Sequence, residues 1–377
     1  MNIINLYEKY FDEETKQVLE TFSNYKVYLI GGLVRDILLN KKSNDIDITF
    51  EGNAIELAKK INCEIISEHK DFGTVKIKIG NKNIDLASTR TETYPQKGHL
   101  PVINKIGCSL KEDIKRRDFT INALAMSLNK ANFGEIIDYI GGLDDIKNKK
   151  IRILHPQSFI DDPSRILRGL KYSSRLGFSL DNETLATQEN YLNNINYDMS
   201  CSRILSEFYR TKWNLDVFKM FINQNIYKLI NPNAKQDFDF WFEPTEPFIY
   251  LALLLPDERF EITKRERNIA EEIKHIQQQK NQQNMSDFEI YKIYSALPIE
   301  TVQILSIMRD KNAKKYLQKL KTIKIQTTGK DLINLGFKPS KEMKTILDFI
   351  LEQKITNPNL SKQDEISLIK TTFLNRD

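Results

Sequence analysis

The order of hydrophobic and polar positions changes character along the chain. In the first 150 residues, short runs rich in β-branched and aromatic residues alternate with segments that repeat apolar residues at helical spacing. Strands are predicted at Lys26–Ile30, Asp45–Phe50, Thr74–Ile79 and Asn83–Ala87, and helices at Leu33–Leu39 and Ala54–Ile61. This alternation predicts an α/β or α+β domain built on a small mixed sheet.

From about Asp161 onward, leucine, isoleucine, lysine and glutamate recur at helical spacing, which predicts an all-helical second part. Two polar segments in it are candidate linkers, Asn231–Lys235 and Gln277–Asn284, and the second could equally be the exposed face of a long helix. The longest apolar run of this part, Ile249–Pro256, is too short to span a bilayer. The charged N-terminus also lacks the apolar stretch of a signal peptide, so neither a membrane segment nor a targeting segment is expected.

Composition narrows the class of protein further. With 377 residues, of which 40% are hydrophobic and 28% charged, the chain can form two or three folded domains. The net charge of +5 permits a polyanionic partner without requiring one. Cys63, Cys108 and Cys201 lie far apart without a CxxC pair, and the histidines are not clustered, so neither a disulfide framework nor a zinc site is expected. This cysteine usage indicates a reducing, cytoplasmic compartment.

The first chemical motif is a glycine turn between a predicted strand and a predicted helix. Gly31 and Gly32 allow backbone N–H groups to approach a phosphate chain, and the start of the helix adds partial positive charge. Arg35 lies one turn into that helix and can point back at the same anion. The turn therefore predicts a phosphate-binding site.

A pair of carboxylates follows the glycine turn. Asp45 and Asp47 are two positions apart on a predicted strand, so both side chains should project from one face. Two carboxylates on one face suit hard divalent cations, which carry phosphates with them. Asp85, on a predicted neighbouring strand, could complete a carboxylate triad that positions metal ions for an in-line displacement.

Two further motifs carry arginines that could contact a nucleotide. In Arg116–Ala123 (RRDFTINA), Arg116 and Arg117 can clamp phosphates, and the amide of Asn122 can donate to and accept from a sugar hydroxyl. Taken alone, this motif would be an ordinary solvated charge cluster.

The third motif begins a helix, with Asp162 as the expected N-cap and Pro163 at the first helical position. Arg165, Arg168 and Lys171 then follow at three-residue spacing along one face. An Asp accepts from an amino group and an Arg donates to ring nitrogens and carbonyls, so the two could read the edge of a base. A capped helix with a basic stripe is the alternative interpretation.

These three motifs, in this order, resemble the class II tRNA nucleotidyltransferase and bacterial poly(A) polymerase family of the polymerase β superfamily. Further segments are similar to family motifs of the head–neck junction, the neck and the tail: Asp138–Ile146, Leu176–Phe178, Ser202-Arg203 with Glu207, and Gly329–Leu332 with Gly336 and Pro339. The motifs are dense over residues 27–210 and sparse afterwards. The ordered set is specific, whereas no single piece is.

The resemblance implies a polymerase β-like nucleotidyltransferase head at residues 1–150. It also implies an all-α neck for base recognition at 151–215 and a helical body and tail for tRNA binding at 216–377. By resemblance, Asp45 and Asp47 bind Mg²⁺ and form the catalytic set with Asp85. The nucleotide-binding residues that it implies are Gly31, Gly32, Arg35, Arg116, Arg117, Asn122, Asp162, Arg165, Arg168 and Lys171. Among these, Asp162 and Arg165 would pair with the incoming base.

The implied reaction is attack of an RNA 3′-hydroxyl on the α-phosphate of CTP or ATP, with release of pyrophosphate and without a nucleic-acid template. Family members add CCA, only CC, only the terminal A, or poly(A). CC-adding members lack a flexible loop before the RRD motif, whereas residues 91–115 here retain one that contains Pro95, Gly98 and Pro101. Poly(A) polymerases usually carry a long basic C-terminal extension, which this sequence does not show. CCA addition and A addition both stay open.

The implied partner is the acceptor stem and T-arm of tRNA, and no stable protein partner is implied. Two basic clusters in the second half could contact RNA phosphates, with Lys264, Arg265, Arg267, Lys314, Lys315 and Lys319 as the candidates. In the second cluster, Tyr316, Leu317 and Leu320 are spaced to pack inward while the lysines face out. A solvated lysine face without RNA contacts is the alternative.

Two rival functions lead to different sequence expectations. A degenerate head that only binds RNA would have lost a metal carboxylate, yet both Asp45 and Asp47 are present. A nucleotidyltransferase that modifies antibiotics or proteins would lack the RRD and DDPSR motifs, and both are present as well. An RNA-extending enzyme is therefore the preferred interpretation.

Overall fold

The structure, a computed structural model, describes residues 4–42, 45–278 and 285–374. These residues form two compact units. The first runs to Lys212 and includes Asp216–Leu229, and the second comprises Trp213–Leu215 and the chain from Ile230 onward. Among the described residues, we find no helix with the length and apolar character needed to cross a bilayer.

A mixed seven-stranded sheet forms the centre of the first unit, which confirms the predicted class of an α/β head followed by helices. The strands are β1 Val27–Ile30, β2 Asp47–Phe50, β3 Glu64–His69, β4 Thr74–Ile79, β5 Lys82–Ser88, β6 Arg90–Thr93, β7 Val102–Ile106, β8 Ala125–Ser127, β9 Ile136–Ile137, β10 Lys150–Ile151 and β11 Ser179–Leu180. The order in the sheet is β3-β4-β5-β2-β1-β8-β9, while β6 and β7 form a hairpin and β10 pairs with β11.

The register of the central strands separates core residues from acidic residues. Strand β2 lies parallel to β5, with Asp47 opposite Asp85 and Ile48 opposite Leu86. Because side chains alternate between the two faces of a strand, the two aspartates share one face and the two apolar residues share the other. Ile48 and Leu86 are buried in the main hydrophobic core of this unit. The acidic pair is thus carried by a rigid, well-packed part of the sheet.

Helices surround this sheet and continue beyond it to the end of the first unit. They are α1 Ile4–Tyr10, α2 Glu13–Glu20, α3 Gly32–Leu38, α4 Ala54–Lys60, α5 Leu110–Ile114, α6 Gly142–Lys147, α7 Ser158–Asp161, α8 Ser164–Leu176, α9 Asn182–Asn193, α10 Cys201–Tyr209 and α11 Leu215–Asn223, with 3₁₀ turns at Lys70–Phe72, Thr120–Asn122 and Ile226–Leu229. The apolar positions of α3 and α4, among them Val34 and Leu57, pack into the same core as the strands. Their helical spacing supplied the sequence signal that predicted both helices.

The described part of the second unit is helical, as predicted. Its helices are α12 Pro247–Leu253, α13 Lys264–Gln278, α14 Asp287–Tyr294, α15 Ile299–Ile307, α16 Lys311–Lys315, α17 Gly329–Asn334, α18 Lys341–Thr356 and α19 Lys362–Ile369, with π-helical segments Tyr316–Leu320 and Lys370–Leu374. Near the C-terminus, Leu332, Ile346, Ile350 and Ile369 form a separate apolar cluster. This cluster holds α17, α18 and α19 together through apolar burial.

Several local predictions need correction. Strand β2 begins at Asp47, so Asp45 precedes the strand instead of lying on it. Helix α8 begins at Ser164 with Pro163 as its N-cap, one residue later than predicted, although Oδ1 of Asp162 still accepts from the Ser164 N–H at 3.1 Å. Segment 91–115 is not simply a loop, because it contains most of the β6–β7 hairpin and all of α5.

The two candidate linkers have different outcomes. Asn231–Lys235 carries a turn and neither helix nor strand, as expected for a connection. Gln277 and Gln278 form the end of α13. The remainder of the Gln277–Asn284 tract lies outside the described residues.

Candidate active site

A cavity of about 960 Å³ in the first unit is lined by residues of all three sequence motifs. The predicted nucleotide and metal residues in its lining are Gly31, Gly32, Arg35, Asp45, Asp47, Asp85, Arg116, Arg117, Asn122, Asp162, Arg165, Arg168 and Lys171. The lining contains eleven arginine or lysine residues and eight aspartate or glutamate residues. An excess of positive charge around a local group of carboxylates suits a polyanion that binds together with a cation.

The glycine turn brings the end of β1 against the second motif. Gly31 has a φ of 69°, and its N–H donates to the carbonyl oxygen of Leu124 at 3.0 Å. A Cβ atom on Gly31 would stand 3.3 Å from the backbone oxygen of Asn122 and 3.4 Å from Nη1 of Arg117. A side chain would therefore be both strained and crowded, and glycine is needed for this close approach. Helix α3 follows at once with Gly32.

Arg35 lies in the wall of the cavity, with only 1% of its surface exposed. Its Nε and Nη2 donate to Oδ1 of Asp36 at 3.0 and 2.9 Å, and its Nη1 donates to Oδ1 of Asn122. The guanidinium also lies 5.2 Å from the ring centre of Tyr172. The structure thus places Arg35 beside the expected anion site while protein acceptors engage each of its three side-chain nitrogens.

The three predicted catalytic carboxylates, Asp45, Asp47 and Asp85, all line the cavity. Burial and the neighbouring charges of Asp85 and Asp45 raise the pKa of Asp47 from its ordinary value of 3.8 to about 6. Asp85 is half-exposed and lies 3.8 Å from Nζ of Lys76 on the adjacent strand β4. Burial is the main cause of the raised pKa of Asp47, and repulsion from Asp85 and Asp45 adds to it, so a bound cation would stabilise the ionised carboxylate.

The donor set fits a hard divalent cation at Asp45 and Asp47, because both supply carboxylate oxygen and the Asp47 charge lacks full compensation. Among the described residues, no three Asp, Glu, His or Cys side chains converge closely enough to form a complete metal site. Asp85 therefore does not close the expected triad in this conformation. Asp45 and Asp47 remain the candidate metal ligands.

Arg116 and Arg117 share one buried acceptor, Asp113 at the C-terminal part of α5. Arg116 donates to Oδ1 from Nε at 2.9 Å and from Nη2 at 2.7 Å. Arg117 donates to Oδ2 from Nε at 3.2 Å and from Nη2 at 2.9 Å. Both arginines keep part of their side chains exposed to the cavity, so their orientation there is set by this carboxylate.

A buried chain of polar contacts joins the second motif to the third. Asn122 donates from Nδ2 to Oδ1 of Asp118 at 3.1 Å, and Arg168 donates from Nε to Oδ2 of the same residue at 2.8 Å. Burial alone would raise the pKa of Asp118, but the charge of Arg168 and the bonds from Arg168 and Asn122 lower it to about 2. Asp118 is consequently ionised at neutral pH and connects the 3₁₀ turn Thr120–Asn122 to α8.

The two residues expected to read the base are both buried and tightly held. Asp162 accepts from the N–H and hydroxyl of Ser164 with Oδ1, and from Nη2 of Arg203 with Oδ2. Nε of Arg165 lies 3.8 Å from the same Oδ2 atom. The structure thus brings Asp162 and Arg165 side by side at the cavity wall, as base reading by this pair requires.

Arg165 is fixed further by contacts with three other segments. It donates to Oγ of Ser158 at 2.8 Å, to the backbone oxygen of Arg116 at 2.9 Å and to the hydroxyl of Tyr94 at 3.3 Å. Tyr94 directly follows β6, so the hairpin region also contributes to the cavity wall beside Arg165. Holding a side chain in one geometry before a ligand arrives reduces the entropy lost on binding.

The basic stripe of α8 is neutralised in part by Glu207 of α10. This buried carboxylate accepts from Nζ of Lys171 at 2.6 Å and from Nη1 of Arg168 at 3.4 Å. Burial would raise the pKa of Glu207, whereas the charges of Arg168 and Lys171 lower it overall. All three cations of the stripe line the cavity, and each already has an acidic protein partner, because Arg165 lies beside Asp162 and Arg168 also pairs with Asp118.

Four residues that line this cavity or hold its lining residues were not predicted from the sequence: Asp36, Tyr94, Asp113 and Arg175. Asp36 is buried and accepts from both Arg35 and Arg175, which are far apart in sequence. For Asp113 a signal was available, since Arg116 and Arg117 follow it at i+3 and i+4, the spacing of ion pairs on a helix. For Tyr94 and Arg175 no local pattern indicates the contacts that the fold creates.

The predicted RNA-binding residues in the second unit differ in how far they are already paired. Lys264, Arg267 and Lys319 are exposed. Lys314 donates to Asp239 at 2.7 Å, Lys315 pairs with Asp287, and Arg265 pairs with Glu300. As predicted, Tyr316 and Leu320 are buried beneath this surface, while Leu317 is half-buried.

Comparison with known proteins identifies the family of the head. Residues 27–152 match the model of the poly A polymerase head domain. An A-adding tRNA nucleotidyltransferase of Halalkalibacterium halodurans is 30% identical over 386 residues, which is 92% of this chain and 88% of that protein. The similarity thus extends through both units.

Two further matches add to this comparison. An A-adding tRNA nucleotidyltransferase of Aquifex aeolicus is 50% identical over 162 residues, but this stretch is 42% of the chain and 19% of that longer protein. A solved structure of a CCA-adding enzyme in its apo form has a TM-score of 0.78 at 23% identity, and the match covers 99% of each chain. That structure shows a shared fold over the whole length.

Proposed function

The chain belongs to the tRNA nucleotidyltransferase family, and we propose from that premise that it extends the 3′ end of tRNA with nucleotides from ATP, or from CTP and ATP, without a template. The observation that supports this most strongly is the single cavity that holds the carboxylates Asp45 and Asp47 together with the pair Asp162 and Arg165. The first pair suits phosphoryl transfer and the second suits selection of a base. A site that only bound RNA would not need both.

In the proposed reaction, the 3′-oxygen of tRNA forms a bond to the α-phosphorus of the nucleotide. The bond from the α-phosphorus to the bridging oxygen breaks, pyrophosphate leaves with that oxygen, and the hydroxyl proton passes to solvent. Mg²⁺ held by Asp45 and Asp47 would supply activation of the attacking hydroxyl and neutralisation of the developing charge. Asp85 would support this pair from β5, and Arg117 would add positive charge beside Asp47.

Base selection is proposed for the start of α8. The amino groups of cytosine and adenine can donate to the Asp162 carboxylate, and Arg165 can donate to the acceptor next to that amino group. Guanine and uracil present a carbonyl at the corresponding position, which would leave the carboxylate without a donor. Arg203 and Ser164 hold the Asp162 carboxylate in one orientation, in which it would distinguish an amino group from a carbonyl.

The remaining predicted residues complete the proposed nucleotide site. Gly31 and Gly32 would let the chain approach the phosphates, Arg35, Arg168 and Lys171 would line the phosphate side, and Arg116 or Arg117 would assist there. Asn122 would face the ribose. In this proposal residues 1–150 act as the head, 151–215 as the neck, and 216–377 as the body and tail that bind the acceptor stem and T-arm of tRNA, all in the cytoplasm.

Within this function, addition of the terminal A is the more specific proposal. The relatives at 50% and 30% identity are both named A-adding enzymes. Addition of the complete CCA is the second candidate, because a solved protein named a CCA-adding enzyme has the same fold over 99% of this chain. The pair Asp162 and Arg165 is compatible with both, since cytosine and adenine share the donor–acceptor edge.

The test is to incubate the full chain with tRNA that lacks CCA, tRNA that ends in C, and tRNA that ends in CC, each with CTP, ATP or both. Sequencing of the 3′ ends then gives the product. A-addition predicts one A on tRNA ending in CC and no use of CTP. CCA addition predicts use of both CTP and ATP on tRNA that lacks CCA or ends in C, and use of ATP alone on tRNA that ends in CC. Long A-tails on any RNA would favour a poly(A) polymerase, and no extension at all would contradict the proposed function.

A further inference from the structure

Asp113 is a fully buried carboxylate in a part of the chain that the motifs do not include. It lies in α5, whose start is fixed by reciprocal hydrogen bonds between Ser109 and Glu112. Oδ1 accepts from Nε and Nη2 of Arg116 and from the backbone N–H of Arg90 at 3.0 Å, and Oδ2 accepts from Nε and Nη2 of Arg117. Five hydrogen bonds on one buried carboxylate leave both arginines few alternative orientations.

Two nitrogens of each arginine bind Asp113, and this fixes the direction of the third nitrogen. Both arginines use Nε and Nη2 toward Asp113, so Nη1 is the nitrogen that reaches other groups. Nη1 of Arg117 lies against the Gly31 turn, 3.4 Å from where a Cβ on Gly31 would stand, and the charge of Arg117 acts on Asp47. Nη1 of Arg116 instead lies 3.7 Å from Glu92. One carboxylate therefore holds two adjacent arginines with their third nitrogens against different neighbours.

The charges in this cluster do not cancel. Arg90, Arg116 and Arg117 contribute three positive charges, whereas Asp113 and Glu92 contribute two negative charges. A purely structural ion-pair cluster gains most when its charges balance, because an uncompensated charge near the interior is costly. Asp47 offsets part of this surplus through its interaction with Arg117. The cavity lining as a whole still has eleven arginine or lysine residues against eight aspartate or glutamate residues, and an anion bound beside the Gly31 turn would compensate part of that excess.

We propose that Asp113 is a positioning residue that aims Arg117 at the β- and γ-phosphates of the incoming nucleotide. This inference rests on the proposed function, because it assumes a nucleoside triphosphate in the cavity. Asp113 itself touches no phosphate, and acts by holding the Arg117 guanidinium with Nη1 toward the Gly31 turn. Arg116, held by the same carboxylate, then supports Arg165 through its backbone oxygen.

The test measures how much binding the additional phosphates contribute. The dissociation constants of AMP and ATP are determined by calorimetry in the presence of Mg²⁺, for the full-length wild type and for Asp113→Asn, and inorganic tripolyphosphate is used as a competitor. We expect Asp113→Asn to reduce the ratio of the AMP dissociation constant to the ATP dissociation constant by about tenfold or more. The reason is that Arg117 would lose its charge-assisted contact with the additional phosphates. The AMP constant itself should change much less.

Glu112→Gln is the matched control, because Glu112 is the neighbouring acid on α5 and is exposed. It should lower the melting temperature slightly and leave the ratio unchanged. If Asp113→Asn weakens AMP and ATP equally, or lowers only the melting temperature, Asp113 is structural and the inference is wrong.

If Asp113→Asn does not fold, the variants Arg116→Gln and Arg117→Gln still test whether Arg117 contacts the additional phosphates of ATP. Arg117→Gln should lose the additional binding of ATP over AMP, whereas Arg116→Gln should keep most of it. Equal losses would overturn the inference. A wild type that binds ATP no better than AMP would overturn the proposed function together with it, whereas phosphate-dependent binding without any extension of tRNA would contradict the proposed function alone.

Discussion

Arg168 of α8 donates from Nε to Oδ2 of Asp118 at 2.8 Å, although 50 residues separate the two in sequence. Asp118 also accepts from Asn122, whose amide oxygen accepts from Arg35. A continuous chain of contacts therefore runs from α3, beside the glycine turn, to α8, which carries Arg165. The groups expected to bind the phosphates, the ribose and the base are held as one unit, which favours binding of a whole nucleotide in one geometry.

The carboxylate pair gives the first prediction. Replacement of Asp45 or Asp47 by Ala should reduce nucleotide addition to less than about a tenth of the wild-type rate, because the cation would lose its position at the α-phosphate. Circular dichroism and tRNA binding should be nearly unchanged, since neither side chain supports the core. Single-turnover extension of tRNA with saturating Mg²⁺ is the measurement. Retention of most activity in either variant would contradict the metal assignment.

The second prediction concerns stability without divalent cations. The pKa of Asp47 in the folded protein, about 6, exceeds its ordinary value of 3.8. The folded state therefore binds this proton more tightly, so its stability falls as the pH rises from about 4 to 6 and then stays level. A pKa difference of about two units corresponds to a loss of at most about 3 kcal/mol in the free energy of unfolding.

Asp47→Asn removes the charge that causes this loss. In EDTA, the variant should melt a few degrees above the wild type at about pH 7, and the difference should vanish near pH 4. Addition of Mg²⁺ should then raise the melting temperature of the wild type but not that of the variant. A difference between the two proteins that does not depend on pH would contradict the raised pKa assigned to Asp47.

Base selection gives the third prediction. Asp162→Ala should slow the use of ATP and CTP and also narrow their advantage over GTP and UTP. The unpaired acceptor that a wrong base creates costs about 1–3 kcal/mol, or roughly 5- to 150-fold in rate, and this discrimination disappears with the carboxylate. Arg165→Ala should act in the same way. Competition between ATP and GTP in single-nucleotide addition is the measurement.

Asp161→Asn is the matched control for base selection. Asp161 is the adjacent carboxylate, and it binds Nζ of Lys97 at 2.6 Å instead of Arg203. Its replacement should leave the preference for ATP over GTP unchanged. If Asp162→Ala also keeps the preference and loses only rate, Asp162 serves the start of α8 and other residues select the base.

The fourth prediction concerns the basic surfaces of the second unit. Charge reversal at the exposed Lys264, Arg267 or Lys319 should weaken tRNA binding and reduce the slope of log K against log salt by about 0.7 to 0.9 each. Lys314→Glu should change the slope less, because Asp239 already compensates its charge at 2.7 Å. Fluorescence titration of tRNA at several salt concentrations measures both. Unchanged slopes at all positions would identify these residues as a solvated surface.

The parts of the site that the sequence predicts are those with special residue chemistry at fixed local spacing. Gly31 is needed for a positive φ and a close backbone approach, and Asp45 with Asp47 forms a recognisable pair. Both features depend only on residues that are close in sequence, so the amino-acid sequence alone is enough to predict them. The strands with a buried face, such as β1 and β2, were predicted for the same reason.

The parts that could not be predicted depend on distant partners. The sequence does not indicate that Asp36 binds Arg175, or that Asn122 is shared between Arg35 and Asp118, because the tertiary fold creates these contacts. Strand β3 was missed because it is an edge strand with little buried surface, so its apolar residues do not alternate with polar ones. The short strand β8 is fully buried, and its three residues carry no periodicity.

The most direct test of the central claim is incorporation of radiolabelled AMP from ATP into tRNA that ends in CC, measured together with released pyrophosphate. For the wild type we expect one AMP per tRNA and one pyrophosphate per AMP, and for Asp47→Asn we expect neither above background. Pyrophosphate without labelled tRNA, labelling that Asp47→Asn retains, or tRNA that is bound but never extended would each contradict the account.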